Sequence, residues 1–135
     1  MNEAVIGLGS NINPEKNIVL AQGLISSKFR IIKTSTFLKT APQGDLQQPD
    51  FINGAVLIET PLVQAEVKQL LKGFESQMGR TNAMHCNKPR IIDFDIHVWN
   101  KEIVDPYFYK WDFLRGIVLE LIPDLNYDQS KIVLS

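Results

Sequence analysis

Asp93 and Asp95 stand two residues apart inside the apolar string RIIDFDIHV. Alternate side chains of an extended strand share a face, so this spacing puts both carboxylates side by side. Such a pair repels, and burying it without a counter-charge is costly. A divalent cation answers both problems. Magnesium suits oxygen donors and keeps part of its shell for water and substrate phosphate. The plain alternative is a solvated sheet face on which Arg90 or a lysine pairs each aspartate. Arg80, Lys88 and Arg90 all lie in the stretch that leads into this strand. Arginine grips phosphate through a planar fork, and lysine supplies a point charge. Any one of them is explained as ordinary surface charge. Their concentration beside the paired carboxylates points instead to a magnesium–nucleotide site.

A second group suggests a different ligand. Thr40, Pro42, Gln43 and Gly44 open a loop that closes at Phe51 and Asn53. A rigid turn with an aromatic ring and a carboxamide suits a flat, hydrogen-bonding heterocycle. The competing reading puts Phe51 in the core and has Asn53 hold the loop. GLGSN near the N-terminus lacks both the dinucleotide fingerprint and a Walker lysine, so it is not read as a phosphate loop. Ser10 and Asn11 are expected to cap a turn or position another loop. Glu75 is expected late in a helix, either orienting an arginine such as Arg80 or lying on the surface. His97 alternates onto the aspartate side, deep along the strand. His85 and Cys86 lack the third group that would make a nucleophilic pair. Trp99, Trp111 and the Tyr107–Tyr109 run are expected to cover the end of the core, with an adenine stack as the alternative.

The elements that must position these groups follow from periodicity. Ala4 to Leu8 reads as a buried strand. Asn13 and Pro14 start a helix over Pro14 to Lys28, with Ile18, Ala21, Ile25 and Phe29 at helical spacing. Ile31 to Lys39 reads as one β-branched strand, and Phe51 to Thr60 as the next. Proline and glycine make APQGDLQQPD a loop between them. Thr60 and Pro61 resemble the cap and first turn of a second helix that ends at Gly79. Its expected stripe is Leu62, Ala65, Leu70 and Phe74, broadened by Val67, Leu71 and Met78. RIIDFDIHVW is a fourth strand, and DFLRGIVLELI a short helix in preference to the alternative of a strand followed by a turn. The order β-α-β-β-α-β is the double-split pattern of a ferredoxin-like α+β sandwich, with short additional C-terminal elements.

Composition narrows the setting. The 135 residues suit a single domain over 1–135 with a substantial core. A net charge of −1 offers no bulk attraction to nucleic acid or an anionic membrane. The single cysteine excludes an intramolecular disulfide. MNEAVIGLGSN has no basic segment leading into a long apolar run, so no signal peptide is expected, and no stretch is long enough to span a membrane. A cytoplasmic protein is expected. Its oligomeric state is not set by the sequence.

Together, IGLGSN, TAPQG, QPDFINGAV, FESQMGR and PRIIDFDI resemble the 6-hydroxymethyl-7,8-dihydropterin pyrophosphokinase family, in order and separation, up to about Asn100. The resemblance implies a ferredoxin-like fold and transfer of the terminal diphosphate of ATP to a hydroxymethyl pterin, in folate biosynthesis. It implies two magnesium ions held by Asp93 and Asp95, with ATP as co-substrate. Arg80 and Arg90 match phosphate-contact arginines, and Lys88 and Arg115 are basic positions expected on the nucleotide. Thr40, Ala41, Pro42 and Gln43 match the loop lining the pterin site. Phe51 and Asn53 match its ring-contact and polar-recognition positions, and Glu75 an acidic position of the family motif.

The sequence also departs from the family. Asn82 stands where a second arginine is usual, and no tryptophan occupies the position near Asn87. Tyr107 follows Pro106 in place of a histidine that contacts phosphate. Gly116 and Ile117 lack the aromatic that stacks on the second pterin face. A second reading is therefore a divergent homologue that binds a nucleotide or pterin-like ligand without this transfer, or acts on another hydroxyl substrate. A third is a structural or protein-binding module.

Overall fold

The computed structural model describes residues 1–42, 47–79 and 91–134. Its strands are β1 (Asn2–Ser10), β2 (Arg30–Thr34), β3 (Leu38–Thr40), β4 (Phe51–Thr60), β5 (Asp93–Trp99) and β6 (Glu102–Ile103). Its helices are α1 (Pro14–Lys28), α2 (Gln64–Gln77) and α3 (Asp112–Leu121), with 3₁₀ turns at Pro106–Tyr109 and Gln129–Lys131. The result is an α+β fold. The sheet runs β2–β4–β1–β5–β6, with β3 also paired to β4. Every strand pairing among the described residues is antiparallel.

Period-two alternation splits the sheet residues between two cores. Ala4, Ile6 and Leu8 of β1 join Val56 and Ile58 of β4 under α1 and α2. Val5, Ala55 and Leu57 point the other way, to Val98, Phe108 and the inner side of α3. Helix α1 contributes Ile18, Ala21 and Ile25, and Phe29 follows them into the core. No described helix is long and apolar enough to cross a membrane.

Several expected boundaries move. The single strand over Ile31–Lys39 is two, because the chain kinks at Ser35. There the Ser35 N–H donates to the Ala55 carbonyl at 2.9 Å, while the Ser35 hydroxyl oxygen accepts the Ala55 N–H at 2.8 Å. A side chain thus replaces one backbone rung. Phe37 then lies against Gly54, where a Cβ would meet its ring at 2.3 Å. Helix α2 begins at Gln64 rather than after Pro61. The Thr60 hydroxyl accepts the Leu62 N–H at 3.1 Å and closes a turn instead of capping the helix. The buried stripe of α2 is Val67, Leu71 and Phe74, and Ala65 is exposed. Asn13 occupies the N-cap position of α1 in the left-handed region, φ 41°, but its side chain makes no capping bond. Gly79 ends the α2 segment as expected, with φ 98° and its N–H donating to the Ser76 carbonyl.

Candidate active site

The sheet face under α3 does not close completely. Towards the end of β5 that carries the aspartates it leaves a cavity of about 450 Å³. Glycines make the room. Gly7 and Gly9 of β1 line this cavity, while Leu8 between them is in the opposite core. A Cβ on Gly9 would lie 2.5 Å from Asn53 Oδ1, and one on Gly7 would lie 2.0 Å from His97 Nε2. The G-x-G spacing of β1 therefore admits neighbouring side chains to a strand surface. Testing GLGSN only against phosphate-binding motifs, and rejecting them, left this period-two signal unused.

Asp93 and Asp95 both line this cavity. They also line a second one, of about 400 Å³, bounded by Gln64, Lys68, Lys72 and Glu75 of α2. The aspartates thus stand where two cavities of different character meet. Glu75 fixes the strand between them: its Oε2 accepts the Phe94 N–H at 2.9 Å. Asp95 is open to water from the cavity side, yet protein surrounds it on most others. That partial desolvation, reinforced by the charge of Asp93, pushes its pKa up to about 7, against the opposing pull of His97.

The heterocycle group assembles in part. Thr40, Ala41, Phe51 and Asn53 line the first cavity. The β3–β4 register pairs Thr40 with Phe51, and Asn53 Nδ2 donates to Thr40 Oγ1 at 2.6 Å. Pro42 is buried and is not among the lining residues. Asn11 positions the far end of this loop: its Nδ2 donates to Gln48 Oε1 at 2.8 Å and to the Pro49 carbonyl at 3.1 Å. Gln43, Arg80, Asn82, His85, Cys86, Asn87, Lys88 and Arg90 lie outside the described residues.

Arg115 lines neither cavity. Its Nη1 donates to the Phe108 carbonyl at 2.8 Å and its Nη2 pairs with Asp112, so it staples the 3₁₀ turn to α3. Trp99 packs into the α1–α2 core and Phe108 is fully buried under α3. Tyr107, Trp111 and Phe113 instead line the first cavity, as do His97 and Asp105. The sequence reading left Asp105 unnoticed. Its signal is an aspartate before a proline, a helix-start pattern. Its Oδ1 accepts the Tyr107 N–H at 3.0 Å, and its Oδ2 is 2.7 Å from His97 Nδ1. Burial raises the Asp105 pKa, but the bonds from His97 and Tyr107 outweigh it and hold it below the ordinary value.

Comparison with known proteins gives these residues a context. The family model for 7,8-dihydro-6-hydroxymethylpterin-pyrophosphokinase (HPPK) matches residues 5–131. The chain is 31% identical over 144 residues to the 2-amino-4-hydroxy-6-hydroxymethyldihydropteridine pyrophosphokinase of Haemophilus influenzae, covering 98% of this chain and 89% of that protein. It is 33% identical over 108 residues to the protein of that name from Bacillus subtilis, covering 77% of this chain and 64% of that one. A mitochondrial folate synthesis bifunctional protein of Pisum sativum is 38% identical over 101 residues, covering 73% of this chain and 19% of its own length. The family match runs from the glycine-bearing strand through both aspartates to the turn after α3, and on that extent the chain belongs to the 7,8-dihydro-6-hydroxymethylpterin-pyrophosphokinase family.

Proposed function

We propose that this protein is a cytoplasmic, magnesium-dependent enzyme of folate biosynthesis. It transfers the terminal diphosphate of ATP to 6-hydroxymethyl-7,8-dihydropterin and releases AMP. The observation that carries this reading is the place of Asp93 and Asp95 on the boundary of both cavities. The first cavity offers an aromatic ring in Phe51 and a carboxamide in Asn53, which suit a pterin. The second offers Lys68 and Lys72, one helical turn apart on α2, which suit a polyphosphate. We read the sheet order as the double-split ferredoxin-like arrangement, extended by β6 and α3.

The donor set fits magnesium. It is all oxygen, and burial together with the charge of Asp93 raises the proton affinity of Asp95, which a bound cation would oppose. Among the described residues no group of three or more acidic, histidine or cysteine side chains forms a closed metal cage. Two carboxylates with open positions suit a cation that also takes water and substrate phosphate. When bound, magnesium neutralises charge on the polyphosphate and on the leaving group.

The protein's own residues bind and orient. Asp93 and Asp95 would hold the cation from one strand face. Asn53, fixed by Thr40, recognises the polar edge of the heterocycle, and Phe51 supplies a ring face. Arg80, Lys88 and Arg90 are proposed phosphate contacts on the strength of the family pattern. The pterin hydroxyl oxygen bonds to the β-phosphorus, the bond to the α,β-bridging oxygen breaks, AMP leaves and the hydroxyl proton is released. No covalent enzyme intermediate is required.

Incubation with Mg-ATP and the hydroxymethyl dihydropterin should yield AMP and pterin diphosphate in equal amounts. Absence of both products across protein and magnesium titrations would overturn the reading. Separate calorimetric titrations with Mg-ATP and with pterin would then distinguish a binding homologue from a protein that takes neither ligand.

A further inference from the structure

Gly7 leaves the floor of the first cavity without a side chain, and His97 fills that space. The histidine is held there by a strand irregularity. Ile6 pairs with Ile96 and Val5 with Val98, so His97 is the extra residue of a bulge in β5. Bulges re-aim a side chain, and this one lies two residues past Asp95. The residue is only 6% exposed. With Asp105 ionised and able only to accept, His97 Nδ1 donates to Oδ2 across 2.7 Å. The diphosphate transfer gives neither residue a task. A buried imidazole–carboxylate pair is weak evidence for stability alone, because desolvation cancels much of its attraction.

What the pair connects is more informative. The other Asp105 oxygen accepts the Tyr107 N–H at 3.0 Å. The Asp105 carbonyl accepts the Phe108 N–H at 3.1 Å, and the Tyr107 carbonyl accepts the Trp111 N–H at 2.9 Å. This run of bonds ends in an aromatic stack. Tyr107 and Trp111 are parallel within 12° with centroids 4.1 Å apart. Trp111 and Phe113 are parallel within 14° at 5.7 Å. All three rings line the cavity that Asp93 and Asp95 line.

We infer that His97 and Asp105 are positioning residues for the heterocyclic substrate. Through Asp105, the imidazole on the carboxylate strand fixes the 3₁₀ turn, and so sets the Tyr107–Trp111–Phe113 stack relative to Asp93 and Asp95. The inference rests on the pterin-binding reading of this cavity. Its physical basis is reach: a ring held against the stack presents its hydroxymethyl group to the polyphosphate only if stack and carboxylates keep their spacing. Displacement by about 1 Å can cost as much as ~100-fold in such a geometry.

Two substitutions separate the nitrogens of His97. An asparagine amide nitrogen reproduces the Nδ1 position, and a glutamine amide reaches the Nε2 position. His97→Gln should raise KM for the pterin by roughly 10-fold, with kcat and KM for ATP within about twofold. His97→Asn should restore KM to within about threefold of wild type. Trp111→Leu should raise the same KM, and the double variant with His97→Gln should be no worse than Trp111→Leu alone, because both act through one wall. An unchanged KM in His97→Gln, a fall in kcat alone, or additive effects in the double variant would each overturn the inference.

Near-UV circular dichroism reads the stack without turnover. The aromatic signal should weaken in His97→Gln and persist in His97→Asn. If the wild-type protein makes no AMP from pterin and ATP, the proposed reaction is lost. The spectra still decide the positioning claim, which an unchanged His97→Gln spectrum overturns. If His97→Gln does not fold, Asp105→Asn carries the comparison. It keeps an acceptor for the Tyr107 N–H but loses the carboxylate that accepts from His97 Nδ1, so KM should rise, and an unchanged KM overturns the inference.

Discussion

The two faces of the sheet are built from alternate residues of the same strands, yet they obey different rules. On the α1–α2 face, β1 presents Ala4, Ile6 and Leu8, all at or below 1% exposure. On the α3 face it presents Val5, then Gly7 and Gly9. The first face is filled by side chains. The second begins as a core under α3 and opens into a cavity where glycine replaces bulk and carboxylates replace hydrocarbon. One strand can thus serve stability on one side and ligand binding on the other, because side-chain direction alternates at every residue. If that division holds, substitutions one residue apart should fail in different ways.

The largest contrast is in activity. Asp95→Asn removes one of the proposed cation ligands while keeping shape. Turnover should fall on the order of 10³-fold, the equivalent of several kcal/mol of lost charge stabilisation. The fold should survive, because the substitution also removes the repulsion with Asp93. Steady-state kinetics with a parallel thermal melt checks both halves. Wild-type turnover in this variant would remove the carboxylates from the mechanism.

Next in size is the comparison of Ile6 with Gly7. Ile6→Ala opens a hole in the sealed face and should cost about 2–5 kcal/mol in denaturant unfolding. Its effect on KM should be small in whatever fraction stays folded. Gly7→Ala adds a methyl group where His97 Nε2 now lies, 2.0 Å from the new Cβ. The imidazole must move, and overpacking of this kind costs about 1–3 kcal/mol. Here KM for the pterin should rise with the loss of stability. Equal functional effects at the two positions would break the distinction between the faces.

A smaller effect is expected at Gly9. Gly9→Ala places a Cβ 2.5 Å from Asn53 Oδ1. The carboxamide must shift away from its bond to Thr40. KM for the pterin should rise roughly 10-fold while KM for ATP stays within about twofold, since the clash lies in the first cavity alone. A larger change in KM for ATP would place the two ligands the other way round.

The same contrast explains what was legible in the sequence. The sealed face announced itself through repetition: Ile18, Ala21 and Ile25 along α1, and Val56 and Ile58 along β4, recur at the period of their element. The aspartate pair was legible for the same reason, since strand spacing alone puts Asp93 and Asp95 together. The open face depends on contacts between residues far apart in the chain. Gly7 is explained only by His97 and Gly9 only by Asn53, across neighbouring strands. The split of β2 from β3 depends on Ser35 meeting Ala55. The bond from His97 to Asp105 depends on a bulge that no local pattern marks. Thr60 misled because an oxygen that can cap a helix can equally close a turn.

The smallest expected effect, and the one that tests the electrostatics most directly, is the pH dependence of stability. The Asp95 pKa is about 7 in the folded protein against an ordinary 3.8. Between those values the folded state holds a proton that the unfolded chain has released. The folded state binds more protons, so stability falls as pH rises through this window, and the penalty is complete above about 7. Asp105 behaves oppositely. Its folded pKa is lowered, so it contributes stability above the unfolded value that is lost as pH falls through the folded one. The open face should therefore weaken the ligand-free protein progressively as pH rises from about 4 to 7 and fully above that through Asp95, and in stronger acid through Asp105. Water reaches Asp95 from the cavity, which screens the effect, so the slope should be shallow. Melting temperatures of wild type and Asp95→Asn from pH 4.5 to 8 isolate it, because asparagine has no proton to lose. Wild type should decline relative to the variant as pH rises, and magnesium added at pH 8 should recover part of the difference in wild type only. Parallel curves that do not respond to magnesium would mean that the carboxylates are already compensated from within the chain, and the open face would then be a structural feature of the sheet rather than a site built to recruit charge.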